Sequence, residues 1–246
     1  MSFMNLIIDV GNSFVKLAVF NGDKIKYKKV VGLDLILEEI KAIKQKDHTI
    51  KKAIISSVGR LNDEAVDEIK NGVDLLVLSS KTKLPFKNLY KTPKTLGVDR
   101  IALVSASVMQ FPECNVLIID AGTCITYDFV TAKKEYLGGA ISPGLNMRYK
   151  ALHSLTANLP LLRPDTPKSI IGKTTKESIH SGVAYGVIME IEGVICNYQE
   201  KYSDLTVILT GGDGNFLSKQ LKSSIFASSN FLLEGLNSIL QFNSKE

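Results

Sequence analysis

Two carboxylates share surroundings that suit them to phosphate chemistry. In LIIDVGNSFVKLAVF (6–20) an apolar run ends in Asp9, turns through Gly11 and Asn12, and resumes as a second apolar strand whose single cation is Lys16. In LIIDAGTCITYDFV (117–130), nearly half the chain further on, Asp120 stands over Asp9, Gly122 over Gly11 and Thr123 over Asn12. A glycine lets backbone N–H groups approach phosphate oxygens, and the polar tips, Asn12 with Ser13 or Thr123, offer further donors. A carboxylate at a strand end holds Mg²⁺ or its waters. A single Asp-x-Gly usually marks only a hairpin turn. Two copies in matching contexts predict two similar half-structures, each presenting a carboxylate and a polar turn at one nucleotide-binding cleft.

The elements that must position these residues read as mixed α/β. After the first hairpin, residues 25–31 form a third strand, and Leu33, Ile36, Leu37, Ile40 and Ile43 have the spacing of a helix with one buried face. Strands follow at 51–58 and 73–79, with a short helix between them that Asn62 would cap. Residues 80–96 are polar, contain Pro85 and Pro93, carry Tyr90, and form a loop long enough to be functional. A helix over 96–111 connects the halves. On spacing alone its Asp99 is a first-turn acid favoured by the helix dipole, and Arg100 a surface partner. The second half repeats the hairpin and adds a strand at KEYLGGAI, a turn SPGLNM into a helix, and an irregular, proline-marked stretch. Its longest helix runs from Thr175 to about Tyr202, with Ile179, Val183, Val187, Ile191, Val194 and Tyr198 on one side. Gly182, Gly186 and Gly193 on that helix cost stability unless they permit close backbone packing, inside the chain or across a dimer interface. The strand 205–210 enters a glycine turn and helix start, a place suited to nucleotide, and FLLEGLNSIL closes the chain as an amphipathic helix.

Composition narrows the class. The chain has 246 residues, 45% hydrophobic and 22% charged, without low-complexity runs, so order throughout is expected. The net charge of +5 is scattered, and the one dense patch, Lys24 to Lys29, reads as an edge strand protected by lysines. Without tryptophan or aromatics beside that patch, a nucleic-acid surface is disfavoured. Cys114, Cys124 and Cys196 are odd in number and far apart, which fits neither a disulfide framework nor a metal pair and implies a reducing compartment. No run of 18 apolar residues and no basic leader is present, so the expectation is a cytoplasmic protein without a membrane partner.

Other motifs fail on chemistry. There is no Gly-x-x-x-x-Gly-Lys-Ser/Thr, and TGGDGNF lacks the third glycine of a dinucleotide fingerprint. AISPG (140–144) approaches a serine-hydrolase elbow, but the residue after the serine is Pro143, which has no N–H for an oxyanion hole. His48, His153 and His180 show no metal spacing and read as ordinary, partly exposed histidines.

Taken together, DVGNSFVK (9–16), LGVDR (96–100), DAGT (120–123), GKTTKESIHSG (172–182) and TGG (210–212) occur in the order found in type III pantothenate kinases, which the chain resembles over nearly its whole length. The resemblance implies a duplicated ribonuclease H-like fold of the actin, sugar kinase and heat-shock ATPase superfamily, with domains at 1–95 and 96–246, commonly a homodimer. It implies ATP-dependent phosphorylation of pantothenate to 4'-phosphopantothenate, the first step of coenzyme A synthesis. By the same resemblance Asp9, Val10, Gly11, Asn12, Ser13, Phe14, Val15 and Lys16 would hold the ATP phosphates and Mg²⁺, with Thr123 adding a hydroxyl. Asp120 would bind a monovalent cation, K⁺ or NH₄⁺. Tyr90, Gly97, Val98, Asp99, Arg100 and Thr175 would contact pantothenate, with Asp99 the general base on its primary hydroxyl. Ser13 stands where the family usually has Thr, and Thr174 where Asn is common. The competing expectations are another small-molecule kinase or ATPase of the superfamily, or a nucleotide-binding regulator. The compact length and the GVDR motif weigh against the first, and retention of Asp99 against the second.

Overall fold

The computed structural model describes residues 4–11, 14–57, 61 and 63–244. The chain divides into two compact units, Met1–Gln110 with Asn230–Glu246, and Phe111–Ser229.

In the first unit, β1 (Met4–Val10), β2 (Val15–Asn21), β3 (Lys24–Val31), β4 (Ile50–Ser57) and β5 (Asp74–Val77) form one sheet in the order β3-β2-β1-β4-β5. β1 pairs antiparallel with β2 and parallel with β4. Strand alternation gives β1 two faces. Leu6, Ile8 and Val10 enter a core with Leu17, Val19, Ala53 and Ile55 and with Ile36, Ile40 and Ile43 of α1 (Ile36–Lys46). Asn5, Ile7 and Asp9 point the other way, where Asn5 donates to Asn237 at 2.9 Å on the C-terminal helix. Because both faces are covered, the strand reads as a continuous apolar run. β3 is the exposed lysine-bearing edge, as expected. The expected cap Asn62 lies outside the described residues, and α2 spans Asp63–Lys70. After β6 (Lys87–Asn88), α3 runs Val98–Gln110 and packs on the C-terminal helix Phe231–Asn243. The two helices approach closely enough that a β-carbon at Gly235 would collide with the Ala102 carbonyl. The units therefore divide at Gln110 rather than at residue 95, and the first takes in the last helix.

The second unit builds the same order again. β7 (Asn115–Ala121), β8 (Cys124–Val130), β9 (Glu135–Pro143), β10 (Leu205–Thr210) and β11 (Phe226–Ala227) are arranged β11-β10-β7-β8-β9, with β7 antiparallel to β8 and parallel to β10. α4 spans Leu145–Ser154. The long helix forms as α5 (Thr175–His180), a π-turn (Ser181–Tyr185) and α6 (Gly186–Lys201). It presses Ile179, Val183, Val187, Ile191 and Ile195 onto Leu117, Ile119, Ile125 and Leu209. Thr175–Lys201 has the length and apolarity of a membrane span, and its apolar side lies in this core instead. The glycines do not behave as internal packing sites. A β-carbon at Gly182, Gly186 or Gly193 meets no atom within 4 Å among the described residues. α7 (Gly214–Ser218) and α8 (Phe231–Asn243) complete the chain.

Candidate active site

In the first unit, Asp9 and Lys16 are register partners across β1 and β2, so both side chains leave the same face. Lys16 Nζ lies 3.6 Å from Asp9 Oδ2, with the carboxylate buried and the ammonium 43% exposed. At the turn, Gly11 N–H donates to the Phe14 carbonyl at 3.1 Å, and Phe14 is exposed. Asn12 and Ser13 lie outside the described residues. Asp9 projects from the face of β1 that the C-terminal helix packs against, and the charge of Asp99, in the first turn of α3, reaches it. Burial raises the Asp9 carboxyl above its ordinary value, Lys16 opposes the rise, and the Asp99 charge adds to it.

Around Asp99 the chain is tightly specified. The Asp99 carboxylate accepts the Arg100 N–H at 2.9 Å, and the Gly97 carbonyl accepts the Ile101 N–H at 3.2 Å. The carboxylate folds back over Gly97, where a β-carbon would meet it. Arg100 is not the surface partner that spacing suggests. It is 6% exposed, with its guanidinium 5.6 Å from the centroid of the Tyr90 ring. A buried guanidinium against an aromatic face is favourable and fixes a flat, cationic surface. Tyr90, Gly97, Val98, Asp99 and Arg100 thus come together with Asp9, Val10, Val15 and Lys16 in one unit.

The second unit holds the other three candidates. Asp120 pairs in register with Thr126 on β8 and with Thr210 on β10. The three side chains share one face, so two hydroxyls flank the carboxylate. Thr126 Oγ1 is buried without a hydrogen-bond partner among the described residues. Such a row of oxygen donors has the chemistry of ligands to a hard cation. Sequence reasoning missed Thr126, although a tight turn at Gly122 fixes its register against Asp120 and spacing within the hairpin is a signal that points to it. Thr123 is exposed at the tip of that hairpin. Thr175 is the first residue of α5. Thr174 caps that helix, its Oγ1 accepting the Glu177 N–H at 3.2 Å, while Glu177 accepts from Lys173 N at 2.9 Å. The departure from Asn at Thr174 therefore keeps the cap. Thr175 also lines a largely apolar cavity of about 720 Å³ with Arg148, Leu152, Leu155, Ile179 and Val183.

His180 departs from expectation. It is buried, with Nδ1 2.9 Å from the Tyr149 hydroxyl, whereas His153 is exposed, 2.8 Å from the Leu159 carbonyl. Ser142 of the hydrolase-like AISPG sits in β9 and accepts a hydrogen bond from Arg148.

The family model described as type III pantothenate kinase matches residues 5–197. The chain belongs to this family. A type III pantothenate kinase of Christiangramia forsetii is 53% identical over 240 residues, covering 98% of this chain and 99% of that protein. Among solved structures, a Campylobacter jejuni protein named for the Baf family of transcriptional activators superposes with a TM-score of 0.65 at 22% identity, over 98% of this chain and all of the other. A glucokinase from an Antarctic psychrotroph gives 0.55 at 12% identity, over 97% of this chain and 99% of its own. Both likenesses concern the fold, the duplicated ribonuclease H-like fold of actin and the sugar kinases, which the repeated five-strand order shows directly.

Proposed function

We propose that this type III pantothenate kinase transfers the γ-phosphoryl group of ATP to the primary hydroxyl of pantothenate, giving 4'-phosphopantothenate for coenzyme A synthesis. The observation that carries the reading is the buried Arg100 stacked beside Tyr90, next to an Asp99 whose carboxylate is already held by one N–H. Arg100 and Tyr90 would orient the substrate, together with Gly97 and Val98, and by the family resemblance Thr175 would contact it too. Asp99 would accept the hydroxyl proton. A carboxylate is a weak base for an alcohol. Phosphoryl transfer has a loose transition state, so the proton leaves late and orientation matters more than basicity.

The phosphates would lie against the first hairpin, Asp9 to Lys16, with Lys16 supplying positive charge and Thr123 a hydroxyl. Mg²⁺ would be held through Asp9, and K⁺ or NH₄⁺ through Asp120 with the hydroxyls of Thr126 and Thr210; bound there, they would supply positive charge against the charge spreading over the transferred group. We further read the enzyme as a cytoplasmic homodimer, acting on a small molecule with neither nucleic acid nor membrane as partner. The exposed glycine side of α6, which meets nothing within the described chain, supports the dimer.

The deciding experiment is ATP-dependent phosphorylation of pantothenate by purified protein, run in K⁺ and in Na⁺. Product in K⁺ that falls in Na⁺ supports both the substrate and the cation site. Absence of product in either salt, with ATP still bound, overturns the substrate assignment.

A further inference from the structure

A polar network in the second unit takes no part in the scheme above. Tyr127, buried on β8, donates its hydroxyl to Glu190 Oε1 at 2.8 Å. Arg148 on α4 donates from Nη2 to Glu190 Oε2 at 2.5 Å and to Ser142 Oγ at 3.0 Å, and from Nε to the Pro143 carbonyl at 2.9 Å. Glu190 interrupts the apolar side of α6, beside Val187 and Ile191. A charged pair that is mostly withdrawn from water stabilises little over an apolar pair of the same volume. Its geometry does something an apolar pair cannot, because it grips one particular backbone carbonyl.

That carbonyl belongs to the end of β9, which pairs Pro143 with Cys124. The next residue, Gly144, donates its N–H to the Thr123 carbonyl at 3.1 Å. It lies so close that a β-carbon there would be 2.5 Å from the Thr123 oxygen and nearer still to the Gly122 oxygen. The contacts run without a gap from Glu190 through Arg148 and Pro143–Gly144 to the turn that presents Thr123.

We propose that Glu190 and Arg148 are positioning residues for the Thr123 turn, fixing the β9 end that holds its carbonyls and so setting where the Thr123 hydroxyl meets the ATP phosphates. The proposal rests on the reading of Thr123 as a phosphate contact. Nothing in the amino-acid spacing announces it, since Thr123, Arg148 and Glu190 lie on three separate elements.

The test is a double-mutant cycle on the full-length enzyme with Glu190→Gln and Thr123→Ala, reading the KM for ATP, the KM for pantothenate, kcat and the melting temperature. Glutamine keeps the shape and loses the charge that orients Arg148. Glu190→Gln is expected to raise the KM for ATP about fivefold to tenfold, the scale of one charge-assisted hydrogen bond, with the KM for pantothenate within about twofold. In the Thr123→Ala background the same substitution should add almost nothing. Tyr127→Phe, which removes one hydrogen bond at nearly constant volume, should shift the KM for ATP in the same direction by less, and it replaces Glu190→Gln if that variant melts before the assay temperature. If Thr123→Ala weakens ATP binding while the Glu190 effect is absent or simply additive, the positioning role is overturned and the phosphate contact stands. If Thr123→Ala leaves the KM for ATP unchanged, the phosphate contact itself is overturned, and the inference with it.

Discussion

Gly211 lies directly over the carboxylate of Asp120. A β-carbon there would stand 2.5 Å from Asp120 Oδ1 and closer still to the Ala121 carbonyl, and the residue has a φ of +94° that side chains resist. The Asp213 N–H binds the same Ala121 carbonyl at 2.9 Å. The TGG motif thus acts as a backbone lid on the second hairpin. Gly211→Ala is expected to cost more than about 2 kcal/mol of stability and to abolish any difference in activity between K⁺ and Na⁺. Thermal melts and a paired-salt assay check both.

Asp99→Asn keeps the size of the side chain and an oxygen for the Arg100 N–H, and loses the proposed proton acceptor. Turnover should fall roughly 10²-fold or more while ATP affinity holds, as measured by initial rates and by nucleotide titration. Near-wild-type turnover would remove Asp99 from the chemistry.

Gly186→Leu tests the proposed dimer. The position is open among the described residues, and leucine is the better helix former by nearly 1 kcal/mol, so the fold should hold or gain. Light scattering over a concentration series should show mass moving toward monomer. A dimer unchanged in mass would place the interface elsewhere.

The pH dependence of the Glu190 network has a definite sign. Burial pushes the Glu190 carboxyl up, and hydrogen bonds from Arg148, Tyr127 and Ser142 outweigh it, leaving it below its ordinary 4.5. A carboxyl depressed in the folded state stabilises fully above its unfolded value and loses that contribution as pH falls through the folded one. The melting-temperature gap between wild type and Glu190→Gln should therefore be present at pH 7 and should shrink below about pH 4. A constant gap from pH 7 to pH 3 would contradict the ionised pair.

What the sequence disclosed and withheld follows from the range of each interaction. The twin hairpins and the apolar side of the long helix are written in near-neighbour spacing, and the structure reproduces both, with Asp9 brought opposite Lys16 by the first hairpin's register. Arg100 was misjudged because a first-turn charge gives no hint of the ring, ten positions earlier, that will cover it. The division at Gln110 was equally hidden, since Asn237 reaches Asn5 across most of the chain and amphipathicity does not name a partner. Gly182, Gly186 and Gly193 raised two possibilities, and empty space around them among the described residues removes one.

The return of α8 to the first unit has a consequence for synthesis. Strands β1 to β5 leave the ribosome early, yet the helix that lies against α3, with Gly235 on Ala102 and Asn237 on Asn5, follows long after them. The continuous stretch 111–229 is complete before it. The stretch 111–229 is thus synthesised in full while the first unit still waits for α8, which inverts the usual N-to-C order of maturation.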